Sequence, residues 1–344
     1  MFARMARLKG TVAYGEYYSR HPERQAVDDR LRSLPELCAP GGKYYDPVVS
    51  RDAERYSRQI GSIRPDETLI AAWQEKMSHS GDPTALLKRL ALSLGAVAAG
   101  CTTLDEEFLY SHKGRFDVDF GNPVDLRHPW VLVFLVEMDW NAMQHAPRAE
   151  VIRESTRQYY RGAIISLTIA ALLSACGHEA RSHHDAHYDA ILPPLAVRAG
   201  LGELGRNNIL IAGRYGSRVR LGAVSTTLLL AADRPVDLGA GRLCEVCNKC
   251  AANCPSNALS RGERTMVRGV AKWPTNAERC YAYWRTVGTD CGMCMAVCPF
   301  SHRDSRLHNA VRWAVRRAPW TRRALVLLDG LVYGRRWKRP SVGA

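Results

Sequence analysis

No apolar run in this 344-residue chain reaches the roughly 18–20 residues that a membrane-spanning helix needs. The longest candidate, positions 163–177, is interrupted by Ser166, Thr168 and Ser174. Internal repeats and low-complexity segments are also missing, which argues against solenoids and linker-like chains. The first ten residues, MFARMARLKG, carry positive charge with no apolar stretch behind it. Neither a signal peptide nor a twin-arginine leader is legible, so a cytoplasmic location is expected, with membrane association or export the alternative for a chain whose leader lies elsewhere. Cysteine is too sparse for a disulfide scaffold, at eleven residues. Acidic residues are outnumbered, 34 against 48 basic ones, leaving a formal charge of +14. That excess is local: from Arg303 to Ala344 eleven Lys/Arg face two Asp, a surplus of nine. What is present, 46% hydrophobic and 24% charged residues, is enough for a real core and excludes wholesale disorder.

The cysteines carry the clearest chemistry. Eight of the eleven fall between Cys244 and Cys298. Cys244, Cys247, Cys250 and Cys254-Pro255 spell C-x2-C-x2-C-x3-C-P, the run by which bacterial ferredoxins hold iron–sulfur cubanes. Three thiolates wrap one cluster and the fourth reaches for another. The second run, Cys291, Cys294 and Cys298-Pro299, is one ligand short, and Cys280 supplies it. Exchanging the fourth ligands assigns Cys244, Cys247, Cys250 and Cys298 to one [4Fe–4S] cluster and Cys254, Cys280, Cys291 and Cys294 to a second. Paired zinc ribbons are the competing reading, but they leave the two C-P endings unexplained.

Helices alternating with strands indicate an α/β or α+β protein. Positions 1–60, with five Pro and Gly between Pro35 and Pro47, read as an extended arm with short helices, lying on a core. Positions 61–235 form the core domain. Helix is expected over 66–100 (Leu86, Leu87, Leu90, Leu94 and Val97 give its stripe) and over 150–176, where Gly177 stops it. Strands are expected at 130–136, 208–211 and 219–226. A linker at 233–239 leads into the cluster domain, 236–302, and a basic amphipathic tail follows, 303–344. That tail either packs back with its arginines solvated or meets an anionic surface.

Two motifs compete for attention. Gly200, Gly202 and Gly205 match G-x-G-x-x-G, but no strand precedes them, so a nucleotide site lacks its context. A turn where backbone approaches a bulky cofactor is the preferred reading. His183, His184, Asp185 and His187 form a polar knot, and Asp185-Ala-His187 begins a near match to D-x-H-x-x-G of some cobalamin proteins, with Ala190 in place of the glycine. Hydrogen-bonded loop histidines are the plainer reading.

The stretch from Leu195 to Gly239 and the cluster runs that follow resemble the cobalamin-dependent reductive dehalogenases. So do Tyr17-Tyr18 with Arg20-His21-Pro22, Leu34-Pro-Glu-Leu37, Pro40-Gly-Gly-Lys-Tyr-Tyr-Asp-Pro47, and Cys280-Tyr-Ala-Tyr-Trp284 with Asp290-Cys291-Gly292. The central part is also similar to epoxyqueuosine reductases. The resemblance implies a nitroreductase-like core holding a base-off corrinoid, with a two-cluster ferredoxin-like domain docked against it. It implies a small organohalide substrate and a reduced donor such as ferredoxin, flavodoxin or a membrane quinol system, with nucleic acid not expected. By the same resemblance the proton donor is a tyrosine on the long helix, one turn after a Ser or Thr, which selects Ser155 and Tyr159. An anion-handling arginine follows the G-x-x-G-R turn, which selects Arg218, with Arg220 the alternate. A guanidinium there is expected to favour the phenolate. The family's Asn after the long helix falls near Asp185 here, and its usual T-D-L-P-L reads Thr226-Thr-Leu-Leu-Leu230, departures that put substrate choice in doubt. A tRNA-acting epoxyqueuosine reductase and a non-catalytic electron-transfer protein are the alternatives. The basic tail suits the first, while a preparation with iron but no cobalt would favour the second.

Overall fold

The computed structural model describes residues 2–114, 120–185, 187–267 and 269–337. Its centre is a four-stranded sheet in the order Ala98–Thr103, Trp130–Glu137, Val219–Thr226, Ala180–His183. Every neighbouring pair is antiparallel, so of the two classes expected the protein is α+β. Val131 to Val136 are all between 0 and 1% exposed, because the sheet is covered on both faces. Leu132, Phe134 and Val136 meet Ile165, Ile169 and Leu172 of the long helix Ala149–Ala175 and Leu87 and Leu90 of helix Pro83–Ser93. Val131, Val133 and Leu135 alternate to the other face and pack on Leu192, Leu195 and Ala196 of helix Leu192–Arg198. Each such side chain contributes roughly 1.5–3 kcal/mol of burial, which fixes the register.

The first 60 residues are mainly helical, not extended: Phe2–Met5, Val12–Arg20, Pro22–Arg32 and Pro47–Gln59. Asp46 caps the last of these through Val48 N and Val49 N, both at 2.9 Å, with Pro47 at its first turn. The longest irregular stretch there, 33–46, crosses the dicluster helix Ala277–Val287. Cys38 N donates to Gly288 O at 3.0 Å and Tyr44 N to Val287 O at 3.0 Å. The helix expected over 66–100 is two helices, Glu67–Ser78 and Pro83–Ser93, each capped by an aspartate, Asp66 and Asp82, and 98–100 belongs to a strand. Likewise only Leu210–Ile211 of 208–211 is strand, since Asn208 adopts a left-handed conformation (φ 57°).

Three guanidiniums at most 3% exposed join the cluster-bearing residues to the rest. Arg206 donates to Cys244 O at 3.0 Å, Ser260 O at 3.0 Å and Gly262 O at 2.9 Å. Arg218 donates to Met138 O at 2.6 Å and Ser301 O at 2.7 Å and pairs with Glu137 at 3.0 Å. Arg285 donates to Leu34 O and, at 2.6 Å, to Pro35 O, and meets Glu36 at 3.1 Å. Buried carbonyls at segment ends need donors, and a planar five-donor group satisfies several at once.

Backbone contact is equally tight on the sheet edge. A Cβ on Gly100 would lie 2.2 Å from the Ala199 carbonyl oxygen, which cannot rotate aside, whereas one on Gly61 would meet nothing within 4 Å. Gly100→Ala is expected to cost about 1–3 kcal/mol in urea unfolding, and Gly61→Ala to change stability little; equal effects would remove the close-approach argument.

Candidate functional site

The first cysteine run folds as helix Ala240–Cys247, a left-handed Asn248 (φ 52°) and helix Lys249–Ala252. The reversal at Asn248 lets the thiols of both short helices face one point. Cys244, Cys247, Cys250 and Cys298 line a small cavity, bordered by Arg206, Leu243, Asn248, Pro299 and Phe300. Burial pushes the thiols up, Cys244 to about 12 and Cys247 to about 11, and their mutual charge adds to the rise. Thiolates crowded this way ask for a strongly positive centre.

Cys254, Cys280, Cys291 and Cys294 gather beside it. Burial is again the main cause that raises the pKa of Cys280, to about 11, and of Cys291, to about 12; after it, Cys280 feels Cys254, and Cys291 feels Cys280 and Cys254. Cys294 feels Cys291, Cys280 and Cys254, and also Cys250 of the first set, so the two sets adjoin. Left-handed Cys291 (φ 60°) and Gly292 (φ 68°) turn the chain there, with Gly292 pressed on Val151 of the long helix. Among the described residues no three of His, Cys, Asp or Glu converge on one ion. The first set instead stands around a space, an arrangement that suits a multi-iron cubane better than zinc.

The second set leads straight to the long helix. Asp290, next to Cys291, receives the Ser155 hydroxyl and pairs with Arg220 Nη2 at 2.9 Å. Arg220 Nη2 also donates to Ser155 Oγ at 2.5 Å. Its guanidinium carbon stands 5.0 Å from the centroid of the Tyr159 ring. Burial pushes the Tyr159 phenol up to about 12; Arg220 pulls the other way, while Asp185, Asp290 and Tyr188 add to the rise. The phenol is therefore neutral at ordinary pH, and the phenolate expected from a neighbouring guanidinium loses to desolvation. Burial opposes the charge on Arg220, yet Tyr159, Asp290 and Asp185 raise its pKa on balance.

Of the candidate residues, the fold brings Ser155, Tyr159 and Asp185 to this junction. It does not bring Arg218, which lies one residue before strand Val219–Thr226 and turns to Glu137, Met138 O and Ser301 O. Arg220, two residues on, holds the place beside Tyr159. Tyr160 faces Tyr56 instead, at 5.9 Å between ring centroids. At the three glycines the close neighbours are the chain's own atoms. A Cβ at Gly200 would meet Arg234 O at 2.5 Å, one at Gly202 Ile211 O at 2.3 Å, and one at Gly205 the Ile211 side chain at 2.7 Å. Their turn serves the chain's own packing and delivers Arg206 to the first cysteine set. His183 is fully buried: Asp189 N donates to its Nδ1 at 3.2 Å, leaving Nε2 to donate to Ser225 Oγ at 2.9 Å. Burial lowers its pKa to about 3, so it stays neutral. Asp290 was the residue missed; its place beside Cys291 was visible, its reach to the long helix was not.

Two atoms at this junction, Arg220 Nε and Asp290 Oδ1, are buried without a hydrogen-bond partner among the described residues. Unmet donors and acceptors side by side fit a place completed by a bound polar group.

A family model described as a 4Fe-4S dicluster domain matches residues 243–302. A tetrachloroethene reductive dehalogenase of Desulfitobacterium hafniense is 29% identical over 290 residues, covering 70% of this chain and 52% of that protein. An epoxyqueuosine reductase of Lactococcus garvieae is 34% identical over 122 residues, 31% of each. Among solved structures, a reductive dehalogenase whose structure is described as suggesting a mechanism for B12-dependent dehalogenation superposes with a TM-score of 0.73 at 25% identity, covering 90% of this chain and 47% of that one. The chain thus spans about half the length of the dehalogenases it matches. By sequence and by fold it is a homologue of the reductive dehalogenases, with epoxyqueuosine reductases as more distant relatives, and its residues 243–302 are a 4Fe-4S dicluster domain.

Proposed function

We propose that the protein is a reductive dehalogenase: an organohalide takes up two electrons and one proton, its carbon–halogen bond breaks, and halide leaves. One observation carries the reading. Asp290, adjacent to the cluster ligand Cys291, is hydrogen-bonded into the group that surrounds Tyr159, so the electron path and the proton source meet at one junction. When bound, the clusters would supply electrons and a corrinoid would supply a cobalt centre for carbon–halogen chemistry. Asp185, Tyr188 and Arg220 are the residues of this chain that would hold it, and the unmet atoms Arg220 Nε and Asp290 Oδ1 support the fit.

The chain's own residues then do three things. Tyr159, protonated, holds the proton that replaces the halogen on carbon. Arg220 stabilises the phenolate left behind and offers a cation to departing halide. Asp290 and Ser155 fix Arg220 in place. The alternative tRNA activity needs, by the resemblance, an acidic donor on the long helix. Glu154 is buried there, but it is engaged with Asp139 N, Gln158 and Arg157 at 2.7–2.8 Å. Electrons arrive from a reduced donor such as ferredoxin, flavodoxin or a quinol system. No helix among the described residues is long and apolar enough to cross a membrane.

Cobalt content and halide release from a panel of organohalides test the reading; a cobalt-free holoprotein with full iron and no halide release would overturn it. Tyr159→Phe should lower turnover about 10²–10⁴-fold while iron and cobalt contents hold. Because a pKa raised to about 12 keeps the phenol protonated below that pH, the wild-type rate should not fall between roughly pH 6 and 9 through this group. Arg220→Gln should slow turnover in the folded protein, beyond the stability it also costs by stranding the Asp290 carboxylate. Arg218→Gln should instead destabilise by about 1–3 kcal/mol, since it strands two carbonyls and Glu137, and leave the chemistry of folded protein near normal; the reverse pattern would restore Arg218 as the anion-handling residue. Cys280→Ala should leave one intact cluster, read as iron per chain and by electron paramagnetic resonance.

A further inference from the structure

Helices Arg306–Arg317 and Arg322–Val332 pack one side on the dicluster domain and leave the other bare. On the inner side Val315 is 2% exposed and joins Leu243, Cys298 and Phe300, with Leu325 and Val326 against them. Lys249 pairs with Asp329 at 2.5 Å, His302 with Asp329 at 2.6 Å, and Arg312 donates to His302 O at 2.7 Å. The outer side is apolar. Leu327 and Leu328 are 53% exposed and Leu331 78%, spaced i, i+1, i+4 along one stripe; Val332 is 63% exposed. Trp313 is 65% exposed, and Trp320, in the turn Pro319–Thr321 between the helices, 81%. Arg316, Arg317, Arg323, Arg335 and Arg336 are exposed in the same segment.

So much bare leucine and tryptophan on one element marks a surface that meets something. At 11–12 residues each, these helices are about 17 Å long, too short to span a bilayer and suited to lying on one. Tryptophan and leucine ringed by arginine is the pattern of the water–lipid boundary, where rings sit at headgroup depth and guanidiniums hold phosphates. The sign of the charge selects the lipid: a segment with a surplus of nine positive charges complements an anionic surface.

We propose that this helical pair lies on an anionic membrane surface, with Trp313, Trp320, Leu328 and Leu331 entering the headgroup boundary. The helix Ala240–Cys247, which carries Cys244 and Cys247, packs against the second of the pair. Contact with lipid therefore brings the first cluster's helix to the membrane side. The inference is independent of the dehalogenase reading, because it needs no turnover.

The test is co-sedimentation of the full, iron-loaded chain with vesicles of phosphatidylcholine alone or mixed with phosphatidylglycerol. Retention is expected on the anionic vesicles alone, and high salt should weaken it. Leu328→Asp with Leu331→Asp should reduce retention at least about tenfold, and Arg316→Gln, Arg317→Gln and Arg323→Gln together on the order of a hundredfold, at about 1 kcal/mol per charge. All five positions are exposed, so iron content and unfolding temperature should stay put and separate lost contact from lost fold. Failure to bind anionic vesicles, or binding indifferent to both sets of substitutions, would overturn the proposal. So would self-association that the two aspartates abolish in a chain that ignores lipid, since the face would then belong to a second copy.

Discussion

An electron path works only while its distances hold, and here they are held by buried guanidiniums donating to backbone carbonyls. Arg206, Arg218 and Arg285 each leave one part of the chain and satisfy main-chain oxygens in another: two reach across to the dicluster domain, the third back from it to the N-terminal segment. A hydrophobic interface alone would permit sliding. Fixed oxygens met by a planar donor permit one arrangement, and removing the donor leaves several buried acceptors unmet at once. That rigidity matters more here than net stability, because a small displacement of the clusters changes transfer rates and a small displacement of Asp290 releases Arg220.

The junction at Asp290 unites two kinds of chemistry that usually sit apart. Its backbone neighbour Cys291 belongs to the dicluster domain, and its carboxylate anchors a guanidinium that faces a phenol. Burial raises the phenol's pKa more than the guanidinium lowers it, so the group keeps its proton until something draws it off. A proton donor needs that balance: a proton firmly held at rest and a cation ready for the anion left behind. An exposed tyrosine would have the first property without the second.

Much of this was legible in the sequence because much of it is local. Ligand spacing in an iron–sulfur run is set by the reach of a few residues, so Cys244 to Cys298 announced themselves. The long helix and the strands at 130–137 and 219–226 followed from uninterrupted apolar patterning. The exchange between Arg218 and Arg220 shows where local reasoning stops. Both lie in the same Y-G-x-R-V-R context, yet the first precedes the strand and escapes its alternation while the second obeys it. The glycines at 200, 202 and 205 meet the same limit: small residues signal close approach, but nothing in their spacing tells a cofactor from the chain's own carbonyls. The N-terminal segment, rich in polar and turn-forming residues, concealed four helices whose stability comes from contact with the long helix and with Ala277–Val287.

The sequence by itself determined the cluster chemistry, the central strands and the long helix, since each depends on residues within a few positions of one another. Only the tertiary structure decided which arginine meets Tyr159, that Asp290 joins the clusters to that phenol, and which face of the basic tail is left bare. Those outcomes depend on groups up to 135 residues apart in the chain, and no pattern of neighbours encodes which of several matching side chains the fold will bring together.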